Sequence, residues 1–113
     1  MPQDYAQAVS WTRKAADQGY AAAQNTLGNA YADGQGVPQD YVQAVSWYRQ
    51  AAEQGLADAQ SKLGVMYAEG QGVPQDYVES HKWRNLAASR ASAEDQKEYA
   101  ESRDAVAEKM TPQ

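Results

Sequence analysis

Between residues 38 and 73 the apolar positions fall three and four apart. Ala44, Trp47 or Tyr48, Ala51 and Ala52 make one face; Ala59, Leu63, Val65 or Met66 and Tyr67 make another. This is the spacing of helices buried along one side. Glycine closes each run, Gly55 after the first and Gly70 after the second, where a chain leaving a helix takes positive φ. Asp40 stands at the start of the first run and Gln43 follows three residues later, the order of a capping box. Pro38 lies just upstream, where a missing amide is harmless. No stretch alternates apolar and polar residues with period two, so no strand is predicted.

The same pattern comes round three times. Pro-Gln-Asp-Tyr begins at Pro2, Pro38 and Pro74, in steps of 36 residues, and the step is kept by Trp11, Trp47 and Trp83 and by Ala15-Ala16, Ala51-Ala52 and Ala87-Ala88. Residues 2–37 and 38–73 agree at 25 of 36 positions. Asp4 with Gln7 and Asp76 with Glu79 repeat the cap. The spacing predicts helices over 4–18, 21–33, 40–54, 57–69, 76–91 and 93–110. A fixed period of two helices per unit is the mark of a stacked architecture in which each unit buries its apolar face on the next. The expected fold is all-α: a right-handed α/α solenoid of antiparallel helix pairs, six helices in one domain over 1–113. The tryptophans, on the same face as the alanine pairs, are expected in the packing between helices. The stretch 93–110 leaves the repeat and is heavily charged, with Tyr99, Ala100, Val106, Ala107 and Met110 as its apolar stripe, so it reads as a terminal cap. Helix 4–18, by contrast, copies an internal helix. It is expected either to follow further units of a longer array or to pack on something.

Composition narrows the function. The 113 residues carry a formal net charge of -5, which repels phosphate; neither nucleic acid nor an anionic membrane surface is an expected partner. The apolar runs are too short to span a bilayer. No signal peptide is visible, which leaves cytoplasm, periplasm and secretion all open. There is no cysteine, hence no disulfide and no thiolate metal site. Eight tyrosines, three tryptophans and no phenylalanine suit positions buried at one end and wet at the other.

Candidate chemistry is sparse. Gly34 and Gly36, like Gly70 and Gly72, follow a helix rather than a strand, so they read as turns and not as a phosphate cradle. His81 is the single histidine and has no partner in sequence for metal binding or for activating a nucleophile. Asp4, Asp40 and Asp76 are accounted for by capping. No catalytic, metal or cofactor site is predicted, and enzymatic activity is not expected.

Ala59-Gln60-x-x-Leu63-Gly64-x-x-Tyr67-x-x-Gly70-x-Gly72-Val73-Pro74-x-Asp76-Tyr77, followed by Trp83 and Ala87-Ala88, resembles the Sel1-like repeat, an α/α solenoid family related to tetratricopeptide repeats. The resemblance covers about residues 4–92. It implies a half repeat over 1–20, repeats over 21–56 and 57–92, and a C-terminal capping helix and tail over 93–113. It also implies a bacterial adaptor or scaffold that binds a protein or peptide, outside the subgroup that staples each repeat with cysteines. By similarity with tetratricopeptide repeats, the first helix of each unit lines a concave groove. Its outward positions are then Asn25, Asn29, Ala32 and Asp33, then Asp58, Ser61, Val65 and Glu69, with Lys97 and Glu101 on the last helix. Asn29 fits a position with which some tetratricopeptide domains grip a C-terminal carboxylate, but Asn25 stands where a lysine would be needed, so that mode is not expected. Asp33, Asp58 and Glu69 make the expected groove mildly acidic. The alternative reading is self-assembly: the near identity of the first two units makes end-to-end stacking into a homo-oligomer easy.

Overall fold

The Pro-Gln-Asp-Tyr tetrad is a two-sided clamp between helices. Asp40 Oδ1 accepts from the Gln43 amide at 3.2 Å and so caps the helix that follows. Gln39 reaches back, its Nε2 donating to the Ala32 carbonyl at 2.8 Å, and so caps the helix that precedes. Gln75 and Asp76 do the same one repeat later, on Ala68 and on Glu79. The return half of the capping box is not made. The Asp40 and Asp76 amides donate instead to the carbonyls of Tyr31 and Tyr67, each at 2.9 Å, which ties the linker to the preceding helix.

The computed structural model describes residues 4–90, and among them there is no strand. The helices are α1 (Tyr5–Asp17), α2 (Ala21–Asp33), α3 (Tyr41–Glu53), α4 (Ala57–Glu69) and α5 (Tyr77–Arg90). The predicted helix 93–110 and its capping role lie outside the described residues. α2 and α4 have no side-chain cap at their starts. There the buried side chains of Gln24 and Gln60 donate to the Ala16 and Ala52 carbonyls, binding each helix to the end of the one before. Such bonds matter because an unpaired buried amide costs about 1–3 kcal/mol.

Each helix packs on its neighbours in sequence, most extensively α2 on α3 and α4 on α5. Leu27, Leu63, Ala44, Ala51 and Ala59 are fully buried at these contacts. The alanines let the axes approach, and Gly28 takes this furthest: a Cβ there would lie 2.7 Å from the Tyr48 ring. The linker glycines Gly36 and Gly72 have φ of 83° and 77°, and a Cβ on them would meet the carbonyls of Tyr5 and Tyr41 at 2.4 and 2.3 Å. Glycine is required there twice over, by conformation and by space.

The tryptophans depart from expectation. Trp83 is 7% exposed and belongs to the main cluster with Ala44, Val45 and Tyr48. Trp47 is half-buried against the smaller cluster of Val9, Ala16 and Leu27. Trp11 is 63% exposed and is not a core residue. The reason is direction. Each tryptophan packs backward onto the preceding pair of helices, and among the described residues no helix precedes α1.

Candidate functional site

The exposed stripe of α2 follows from what the helix buries. Gln24, Leu27 and Gly28 point inward, so Ala22, Thr26 and Asp33 point out, with Asn29 half-covered between them. On α4 the matching stripe is Asp58, Lys62, Val65 and Glu69, with Val65 half-buried. The two stripes adjoin, because Lys62 Nζ donates to Asn29 Oδ1 at 2.9 Å and so bridges α2 to α4.

Asn29 is more constrained than its place in the sequence implied. Its Oδ1 also accepts from the Tyr48 hydroxyl at 2.6 Å, so the side chain is held by one residue from beneath and one from the next unit. Tyr48 is buried, and that burial pushes its phenol well above the ordinary range, with the nearby Asp33 carboxylate adding to the effect. Tyr48 is therefore a neutral donor that orients Asn29 at neutral pH. Two further tyrosines close the ends of these helices. Arg13 donates to the Tyr31 hydroxyl and Arg49 to the Tyr67 hydroxyl, each guanidinium lying 5.6–5.7 Å from the ring centre it covers.

Of the residues expected to face outward, Asp33, Asp58 and Glu69 are exposed, and Asn29, Ala32, Ser61 and Val65 are half-buried. Asn25 turns its Oδ1 inward, where that atom has no hydrogen-bond partner among the described residues. Lys97 and Glu101 lie outside the described residues. Sequence reasoning missed Ala22, Thr26 and Lys62. Counting onward in fours from Asp58 reaches Lys62 at once; choosing Ser61 instead displaced the stripe by one residue. With Lys62 included, the face is of mixed charge and not simply acidic. Glu69 also acts on Arg84 of α5, whose guanidinium affinity for its proton is lowered by burial and raised by that carboxylate.

Among the described residues no group of three His, Cys, Asp or Glu side chains converges to hold a metal, and no helix is long and apolar enough to cross a membrane.

The geometry has close counterparts. A protective antigen present in uropathogenic Escherichia coli strains, displaying an SLR fold, superposes with a TM-score of 0.77 and is 55% identical over 79% of this chain. A Sel1 repeat protein from Oxalobacter formigenes superposes with a TM-score of 0.78 and is 40% identical over 81%. Cysteine rich protein B of Helicobacter pylori, 23% identical over 76% with a TM-score of 0.72, shares the fold. This chain spans 19%, 38% and 65% of their respective lengths. Among curated proteins there is no significant match. The Sel1 repeat model matches residues 1–20, 21–56 and 57–92, and with the helix pairs, caps and stacking described above, the chain belongs to the Sel1 repeat family.

Proposed function

We propose that this chain is a non-catalytic adaptor that binds a peptide or a protein surface along the joined stripes of α2 and α4. Sel1 repeat proteins are in general protein-interaction scaffolds. The observation that carries the reading is the bridge from Lys62 to Asn29. It makes two helices of successive units into one polar surface whose central amide is already oriented by Tyr48. A preorganised donor and acceptor array loses less entropy on binding than mobile side chains do. Thr26, Asp33, Asp58 and Glu69 flank it and supply both hydrogen-bonding and charged contacts.

The test is capture of partners from a bacterial extract on immobilised protein, with identification by mass spectrometry. A variant carrying Asp33→Ala, Lys62→Ala and Glu69→Ala runs beside one altered on the outer face of α3, Ser46→Arg with Glu53→Arg. Both sets are exposed, so both variants fold. Loss of a partner from the first variant alone is the expected result. Equal retention by both variants, or loss from the α3 variant, removes the stripe as the site.

A further inference from the structure

Charge on the α2–α4 stripe is placed against the preference of its helices. Asp33 is the last residue of α2 and Glu69 the last of α4, one repeat apart. A helix C-terminus already carries negative partial charge, so a carboxylate there is disfavoured and a cation favoured. Neither helix has a basic residue in its last turn. Both carboxylates are exposed, and neither closes an ion pair among the described residues. Arg84 of α5 acts on Glu69 electrostatically without forming one. Asp58 differs: it stands in the first turn of α4, where a carboxylate is favourable. A local rule broken in the same way in two successive units marks a surface where function outweighs stability.

The same stripe carries a pair of donors. Asn29 Oδ1 accepts from both the Tyr48 hydroxyl and Lys62 Nζ, which occupies both its lone pairs. The amide is thereby fixed with its nitrogen outward: Nδ2 makes no hydrogen bond among the described residues and is not buried. Lys62 is exposed and its ammonium has further N–H groups to give. Asn29 and Lys62 belong to neighbouring repeats, so this surface runs across the stack of units and not at its end.

We propose that the stripe binds an extended basic peptide, with a main-chain carbonyl taken by Asn29 Nδ2 and Lys62 Nζ and a lysine or arginine side chain set against each of Asp33 and Glu69. This rests on the reading of the stripe as the partner site and names the partner's chemistry. Charge complementarity selects it. A cation gains from two carboxylates and two helix C-termini, and an acidic peptide is repelled by all four. The donors read a carbonyl, which every peptide carries, and the carboxylates read charge. The spacing agrees. Neighbouring helices pack about 8–10 Å apart, and a polyproline II segment places residues i and i+3 on one side about 9 Å apart. Basic residues three apart therefore reach both carboxylates.

The experiment uses three peptides with blocked ends, Pro-Lys-Pro-Pro-Lys-Pro and its counterparts with Gln or Glu in place of Lys, titrated into the isotopically labelled full chain by NMR. The Lys peptide is expected to bind about ten-fold more tightly than the Gln peptide, the combined effect of two exposed ion pairs, and to move the side-chain amide signal of Asn29. The Glu peptide is expected not to bind. Asp33→Asn with Glu69→Gln is expected to bring the Lys peptide down to the affinity of the Gln peptide and to raise the urea midpoint of the fold, because it removes charge disfavoured at two helix ends. Weaker binding joined to greater stability is an outcome that a merely structural role for the two carboxylates does not give. Equal affinities for the Lys and Gln peptides, or tighter binding of the Glu peptide, overturn this inference; if the Asn29 signal still moves, the stripe stands as the partner site. Failure of the Lys peptide to bind, or an affinity unchanged by Asp33→Asn with Glu69→Gln, also overturns it. A Lys peptide that binds and leaves the Asn29 signal in place sinks both this inference and the proposed function, since the site is then on another face.

Discussion

Three tryptophans at one repeat position differ in cost by an amount the structure sets. A buried tryptophan removes roughly 200 Å² from water, worth about 5 kcal/mol at about 25 cal/mol per Å², and truncation of such residues to alanine costs about 3–5 kcal/mol. Trp83, 7% exposed, takes nearly the whole of that penalty. Trp11, 63% exposed, keeps little more than a third of its surface covered, so Trp11→Ala costs about 1–2 kcal/mol by the same area scaling. That figure includes the contact of Lys14 with its ring, which at an exposed site is worth about 0.5–1 kcal/mol. Trp47, half-buried, falls between. Urea melts followed by far-UV circular dichroism read the series. With a slope of about 2 kcal/mol per M, the Trp83→Ala midpoint falls by about 2 M and that of Trp11→Ala by about 0.5–1 M. Equal shifts for Trp11→Ala and Trp83→Ala would refute the account of backward packing, because they would mean that α1 is covered as fully as α5.

Gly28→Ala trades a gain of about 1 kcal/mol in helix propensity against a Cβ placed 2.7 Å from the Tyr48 ring, and is expected to destabilise by about 1–2 kcal/mol net; the double variant with Tyr48→Thr should recover that clash, and a purely additive double-mutant cycle would count against it. The Tyr48 phenol is held above its unfolded value, so the fold keeps the proton longer than the unfolded chain does. Stability from this group is therefore complete below about pH 10 and declines as pH rises above it. Tyr48→Phe should flatten that alkaline decline in thermal melts while lowering stability at pH 7 by about 1 kcal/mol through the lost bond to Asn29. Asp40→Ala removes the cap on the Gln43 amide and should cost about 1 kcal/mol by denaturant melt, whereas Asp40→Asn should cost a few tenths.

Much of this protein was legible from the sequence because its signals are short in range. Asp40 finds the Gln43 amide three residues away, Gly34 and Gly70 end their helices by their own backbone conformation, and Leu27 and Leu63 mark a buried face by spacing alone. The family follows from the same order of residues, since a repeat in register is itself a statement about stacking. What the tertiary structure alone decided depends on which element lies next door. The Asp40 amide goes to Tyr31 and not to the Gln43 side chain, because α2 ends beside it. Lys62 joins the α2 surface, and Asn25 turns its oxygen inward, because neighbouring helices fix the rotation of each axis to within a residue. Trp11 and Trp83 hold the same repeat position and are opposite in exposure, because burial is conferred by the surface packed against a side chain and not by the side chain itself.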